Sequence, residues 1–352
     1  MPARFSPARR LAAQVSAALA LGAGLAVSTP VSAQETKIKF QLDWRFEGPA
    51  ALFTLPAKKG YFKDEKLDVT IDAGNGSGGT VTRVATGTYD MGFADMAALM
   101  EFWGNNPAAP QKPVAVMMVY NNTPAAVLAL KKSGIKTPAD LVGKKLGAPV
   151  FDAGRKAFPI FAKANGIDLA KISWTAMDPP LRETMLVRGD IDAITGFYFT
   201  SLLNLNARGV KDEDIVILPY PQFGVKLYGN VVIASEEFLK RNPEAVKAFL
   251  RAFTRGVKDV IADPNAAIAS VKERDALIDV ALETRRLKLA MAGSVVTADA
   301  KAEGFGDISP PRLALMASQV NDAFGLKERI QPDRIFVTGL LPPKDQRNIF
   351  GK

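Results

Sequence analysis

Residues 39–99 read KFQLDWRFEGPAALFTLPAKKGYFKDEKLDVTIDAGNGSGGTVTRVATGTYDMGFADMAAL, and this stretch decides the fold. A short alternating apolar run ends at Asp43-Trp44, a helical pattern closes at Gly60, and a second strand runs from Leu67 to Ile71. That is a βαβ unit. The second strand feeds a glycine-rich turn, Gly74 to Gly79, which opens a helix, and a third strand, Met91 to Ala94, ends at Asp95. Strand ends in an open α/β sheet converge on one crevice. Trp44, the glycine turn and Asp95 are therefore expected to share a binding site.

The turn matches G-x-G-x-x-G, with Asp95 about twenty residues after its first glycine, as in a dinucleotide-binding fingerprint. Its place as the second βα turn argues against a nicotinamide site, as does the start of the chain. Backbone N–H groups of Gly78 and Gly79 at a helix start, with the Ser77 hydroxyl, suit any polar or anionic group without that cofactor. No cofactor is expected.

Residues 1–33 carry Arg4, Arg9 and Arg10, an apolar run from Ala17 to Val27, and Val31-Ser32-Ala33 at a cleavage-type position. This reads as a secretory signal peptide cut after about Ala33, with a twin-arginine route as an alternative to the general one. A periplasmic protein, soluble and without a cysteine lipid anchor, is the expectation. The chain of 352 residues contains neither cysteine nor histidine. That removes disulfides, thiolate metal sites, cysteine nucleophiles and the commonest general base, and no metal site is expected. The net charge of +9 includes the three arginines of residues 1–33, and the rest spreads through mixed-sign helices without a basic block, so no nucleic-acid partner is expected.

Further along, Lys145 to Pro149, Ile172 to Ala176, Ile191 to Thr195 and Ile215 to Leu218 repeat the strand and helix logic. They place a second lobe at residues 136–224, between parts of a first lobe at 34–135 and 225–352. From Ser235 onward the pattern is helical, with helices over Pro243 to Ile261, Asp275 to Ala290 and Pro311 to Phe324. The Lys247, Arg251, Arg255 row reads as a solvated face of the first of these. Tyr61 and Phe62 read as core.

Several short motifs stand in a fixed order: Leu42-Asp43-Trp44, Lys59-Gly60-Tyr61-Phe62, Leu67-Asp68-Val69, Gly87-Thr88-Tyr89-Asp90-Met91-Gly92, Ser133-Gly134-Ile135, Asp140-Leu141-Val142-Gly143-Lys144-Lys145 and Gly189-Asp190-Ile191-Asp192-Ala193. With them the chain resembles the periplasmic substrate-binding proteins of ABC importers, in the thiamine-pyrimidine and sulfonate/nitrate superfamily. Asp43-Trp44, Tyr228 and the helical tail look closest to the thiamine-pyrimidine-precursor branch. The resemblance implies an α/β type II periplasmic binding fold with two lobes, two hinge crossings and a cleft closing on a small solute. It also implies a monomer that delivers the solute to a permease in the inner membrane. Fungal relatives are enzymes that make the thiamine pyrimidine with a histidine and pyridoxal phosphate, chemistry not available in that form to a chain without histidine.

For the cleft the sequence offers an aromatic platform of Trp44, Phe197, Tyr198 and Tyr228. Donors are Ser77, Gly78, Gly79, Asn122 and Thr123, with one acid, Asp95, and one base, Arg155. The set suits a flat heterocycle with polar edges. A sulfonate or carboxylate anion, and an exported enzyme retaining the fold, remain the alternatives.

Overall fold

The computed structural model describes residues 35–350. The expected signal peptide lies outside them. Among the described residues, ten strands form two five-stranded sheets and thirteen α-helices pack around them.

The first part of the chain runs β1 (Thr36–Gln41), α1 (Ala51–Lys58), α2 (Tyr61–Asp64), β2 (Leu67–Asp72), α3 (Ser77–Ala85), β3 (Met91–Asp95), α4 (Met96–Asn105) and β4 (Val114–Met118). The middle part runs β5 (Ala125–Leu130), β6 (Lys145–Gly147), α5 (Ala153–Ala164), β7 (Ser173–Thr175), α6 (Arg182–Arg188), β8 (Ala193–Phe197), α7 (Tyr198–Asn206) and β9 (Ile215–Pro219). After β10 (Asn230–Ala234) come α8 (Glu236–Arg241), α9 (Pro243–Ala262), α10 (Pro264–Lys272), α11 (Val280–Ala290), α12 (Ala298–Glu303) and α13 (Pro310–Ala323).

The sheets have the orders β2-β1-β3-β10-β4 and β7-β6-β8-β5-β9. In the first, β1 is parallel to β2 and β3, while β10 runs antiparallel to β3 and β4. The second repeats this pattern with β5 as its antiparallel strand. In each sheet the antiparallel strand is the first one the chain reaches after crossing over. The lobe bounds read from the sequence leave the strand at residues 125–130 in the first lobe, since the second begins there at residue 136. As β5 that strand pairs with β8 and β9, so the second sheet starts with it.

The two crossings lie side by side. Val119 and Tyr120 N–H groups both donate to the Asn230 carbonyl, at 3.0 and 2.9 Å, and Gly229 N–H returns to Tyr120 at 2.8 Å. Asn122 and Thr123 sit in this ribbon.

The core of the first sheet is aromatic. Phe40 stacks on Phe249 at 5.1 Å, Phe53 on Phe253 at 4.8 Å and Phe62 on Phe249 at 4.9 Å, so one face of α9 seals β1, α1 and α2. Phe62 is buried as expected, whereas Tyr61 is half-buried and donates its hydroxyl hydrogen to Asp259 at 2.5 Å. Pro56 remains inside α1 because Gly256 faces it; a Cβ there would lie 2.6 Å from the proline ring. The basic row on α9 is not simply solvated. Arg251 pairs with Glu65 at 2.6 Å and Arg255 with Asp64 at 3.2 Å, while Lys247 pairs within the helix with Glu244 at 2.9 Å. Among the described residues no helix is long and apolar enough to cross a membrane.

Candidate ligand-binding cleft

The cleft is built from the end of β1. Beyond Gln41 the chain turns through Asp43 and Trp44, and the glycine turn ties that bend down. Gly74 N–H donates to Trp44 O at 2.9 Å and Gly76 N–H to Asp43 O at 2.7 Å. A Cβ on Gly74 would fall 2.1 Å from the Leu42 carbonyl, which is why a glycine is needed there. The first task of the turn is therefore to hold Asp43 and Trp44 at the mouth of the sheet. Its second is to begin α3 at Ser77, buried to 1% exposure.

The opposing wall comes from the second sheet. Asp152 caps α5 by accepting from Arg155 N–H at 2.9 Å, and its other oxygen lies 3.0 Å from Arg182 Nη1. The Arg182 guanidinium is 1% exposed and sits 5.0 Å from the centre of the Trp44 ring, in cation–π range. Tyr120, Phe197 and Phe199 complete an aromatic lining of the cleft.

The cleft is lined by three acids, Asp43, Glu47 and Asp152, and by Arg182, with Arg45 exposed at the rim; Glu183, Glu283 and Arg286 lie behind this wall. Arg182 is taken up by Asp152 and Glu183, Arg286 by Glu283 and Glu47. Burial raises the Asp43 carboxyl to about 7, although Asn230 Nδ2 donates to it at 2.7 Å. Burial also raises Glu47, against the pull of Arg286, and Asp152, against that of Arg182. Desolvation disfavours the Arg182 charge, but Glu183 and Asp152 outweigh it and hold its pKa above the ordinary value.

Four polar atoms of the wall have no hydrogen-bond partner among the described residues: Trp44 Nε1, Glu47 Oε2, Ser77 Oγ and Arg182 Nη2. Arg182 Nη2 lies 2.9 Å from Glu183 Oε1, at an angle that makes no hydrogen bond. Buried polar atoms are normally satisfied. Here three donors and an acceptor converge on one space, the pattern left for a ligand with both kinds of edge.

Of the residues expected in the site, Trp44, Ser77 and Phe197 line the cleft. The others have different work. Gly78 N–H donates to Phe151 O across the cleft at 3.1 Å, and Gly79 N–H turns back to Gly76 O at 3.0 Å. Asp95 is buried beneath the site as the cap of α4, accepting from Ala97 and Ala98 N–H at 2.9 and 3.2 Å. Asn122 accepts from Arg312 at 3.1 Å and Thr123 from Ala125 N–H at 3.3 Å, both within the hinge. Arg155 donates to Ala148 O at 2.9 Å and lies 4.8 Å from the Trp174 ring centre. Tyr198 donates to Leu289 O at 3.1 Å, and Tyr228 accepts from Ser309 N–H at 2.9 Å beneath Arg312. None of these lines the cavity, so the expected base and acid are both replaced.

The charged residues that sequence reasoning missed are Asp43, Glu47, Asp152 and Arg182. Asp152 had a visible signal, a capping acid before the small pair Ala153-Gly154. Arg182-Glu183 after Pro179-Pro180 reads in sequence like any surface ion pair.

Residues 51–267 match the family described as NMT1/THI5 like. The chain belongs to that family. One relative, 30% identical over 242 residues, is a 4-amino-5-hydroxymethyl-2-methylpyrimidine phosphate synthase of Aspergillus parasiticus; the match covers 66% of this chain and 68% of that protein. Another is the riboflavin-binding protein RibY of Chloroflexus aurantiacus, 27% identical over 219 residues, 62% of this chain and 60% of that protein. Among solved structures, the alkanesulfonate-binding protein SsuA of Xanthomonas axonopodis pv. citri, bound to MOPS, superposes with a TM-score of 0.68 at 13% identity, covering 87% of this chain and 99% of that one. At that identity the likeness shows the fold, a two-lobed periplasmic binding protein. This NMT1/THI5-like chain thus has the family and fold that its motifs imply.

Proposed function

We propose that this NMT1/THI5-like protein is the periplasmic solute-binding component of an ABC importer, holding a flat nitrogen heterocycle between its lobes for delivery to a membrane permease. The observation that carries the reading is the fate of the arginines in and behind the cleft wall, Arg182 and Arg286. Both buried guanidiniums are paired with carboxylates, and carboxylates outnumber them, so the cleft offers a sulfonate or carboxylate solute no uncommitted buried cation. Such an anion would meet carboxylates already set against those cations, in a space largely removed from water, where repulsion is weakly screened. An aromatic wall with unpartnered donors and an acceptor suits a flat heterocycle instead. The names of the synthase and riboflavin-binding relatives accord with a heterocyclic ligand. The synthase name also favours catalysis as a second reading, against which stands the absence of histidine and cysteine.

Calorimetry of the mature protein with 4-amino-2-methylpyrimidine and with an alkanesulfonate tests this. The pyrimidine is expected to bind and the sulfonate to give no saturable heat. Trp44→Ala is expected to weaken pyrimidine binding by about 1 to 3 kcal/mol, the worth of one stacking platform. Arg155→Ala is expected to bind like the parent, because that guanidinium faces Ala148 and Trp174. A sulfonate that binds while the pyrimidine does not contradicts the proposal. Turnover of the pyrimidine into a released product would favour the enzyme.

A further inference from the structure

Glu47 has an arrangement that capping and packing do not explain. It is 8% exposed, lines the cleft, and its Oε2 has no hydrogen-bond partner among the described residues. A buried carboxylate oxygen left in this state costs free energy unless a donor reaches it. The surroundings show that the carboxylate is held in place. Arg286, 1% exposed, lies 3.5 Å away through Nη1, and is itself fixed by Glu283 at 2.9 Å. Glu283 in turn accepts from Gly48 N–H, the residue following Glu47, at 2.5 Å. Arg286 also donates to the carbonyls of Phe199 and Thr200, at 3.3 and 2.7 Å, on the opposite lobe. The Glu47 carboxylate is therefore held at the cleft wall by a buried network that spans it, with Oε2 3.5 Å from Arg286 Nη1 and still without a hydrogen bond.

We propose that Glu47 is the specificity-determining residue of the cleft, its Oε2 accepting a hydrogen bond from an N–H edge of the solute, an exocyclic amine or a protonated ring nitrogen. This rests on the reading of the protein as a heterocycle-binding protein and names which heterocycles it takes. Arg182 Nη2, Ser77 Oγ and Trp44 Nε1 supply donors for the acceptor atoms of the same ring. An oxo group at the position facing Glu47 sets two acceptors against each other and leaves Oε2 without a hydrogen bond. Sites built for an N–H reject the analogue that lacks it for this reason.

The test is a matched pair of solutes, 4-amino-2-methylpyrimidine and its 4-oxo counterpart, titrated calorimetrically into the wild-type protein and Glu47→Gln. Wild type is expected to favour the amino compound at least tenfold. Glu47→Gln, nearly the same shape but able to turn an amide N–H toward the ligand, is expected to erase or invert that ratio. A ratio of two affinities in one preparation does not depend on how much of it is folded. An unchanged ratio in Glu47→Gln, or a wild type that binds both equally, overturns the role of Glu47 and leaves the function standing. A wild type that binds neither pyrimidine contradicts both.

Discussion

Gly76→Ala is expected to weaken solute binding at least a hundredfold while leaving each lobe folded. Gly76 precedes α3 with φ of 135° and ψ of 145°, a conformation that L side chains rarely adopt. Added strain there is worth roughly 1 to 3 kcal/mol. The larger effect comes from across the cleft. A Cβ on Gly76 would lie 2.3 Å from the Phe151 carbonyl oxygen and 2.9 Å from Asp152 N, both backbone atoms of the other lobe. Backbone cannot swing aside as a side-chain tip can, so the lobes would have to part. With them would go the Gly78 N–H to Phe151 bond and the approach of Asp152 and Arg182 to Trp44. Binding that draws on both walls depends on this closure.

Gly78→Ala is the control. Its Cβ would meet Lys156 Cε at 3.3 Å and the Phe151 ring at 3.4 Å, contacts that small side-chain shifts relieve. Small-angle scattering with saturating solute should show Gly76→Ala more expanded than the parent and Gly78→Ala unchanged. If Gly76→Ala binds like the parent, the closed arrangement of the lobes is not the binding form.

Stability is expected to fall as pH rises from about 4 to about 7, opposite to the usual behaviour of a protein rich in surface ion pairs. Burial lifts Asp43 and Asp95 from 3.8 to about 7, so over that window the folded state holds protons that the unfolded state has released. Stability must then decrease with pH, and the loss is complete once pH passes the folded values. Each group contributes on the order of 4 kcal/mol at most, and because the two carboxyls repel one another they titrate as a pair. Burial raises Glu47 and Asp152 as well, so they act in the same direction.

The absence of histidine leaves the window clear of imidazole titration. Denaturant midpoints measured at pH 5 and pH 8 should show the decrease. Asp43→Asn should remove a substantial part of it, since an amide oxygen can still accept from Asn230 without carrying charge. A midpoint that is flat or rises between pH 5 and 8 in the parent would contradict this account of the cleft electrostatics.

The elements that local chemistry specifies were legible in the sequence. The parallel strands of the first lobe and α3 after the glycine turn fall where alternation and turn residues put them. So does α9, which begins at Pro243 as read and ends one residue later, at Ala262. What escaped were choices that depend on distant chain. The register of β5 in the second sheet is decided by β8 and β9, which lie far along the sequence. In the cleft, Trp44 and Ser77 were readable because strand ends and helix starts point at crevices. Asp95 occupies such an end too, yet its side chain turns to cap α4. Arg155 stands at a helix start and faces its own lobe. Glu47 and Arg182 acquire their meaning only from partners at Glu283, Arg286 and Asp152, and no local pattern announces those pairings.

The indole N–H of Trp44 offers the most direct measurement of the central claim, that a flat heterocycle occupies the acidic aromatic cleft. It has no hydrogen-bond partner among the described residues, and the chain carries only three tryptophans. In a nitrogen–proton correlation spectrum of the intact mature protein, with the Trp44 signal assigned by Trp44→Phe, titration with 4-amino-2-methylpyrimidine should shift that signal saturably, and an alkanesulfonate at the same concentrations should leave it in place. A Trp44 signal that moves with the sulfonate and not with the pyrimidine would contradict the account.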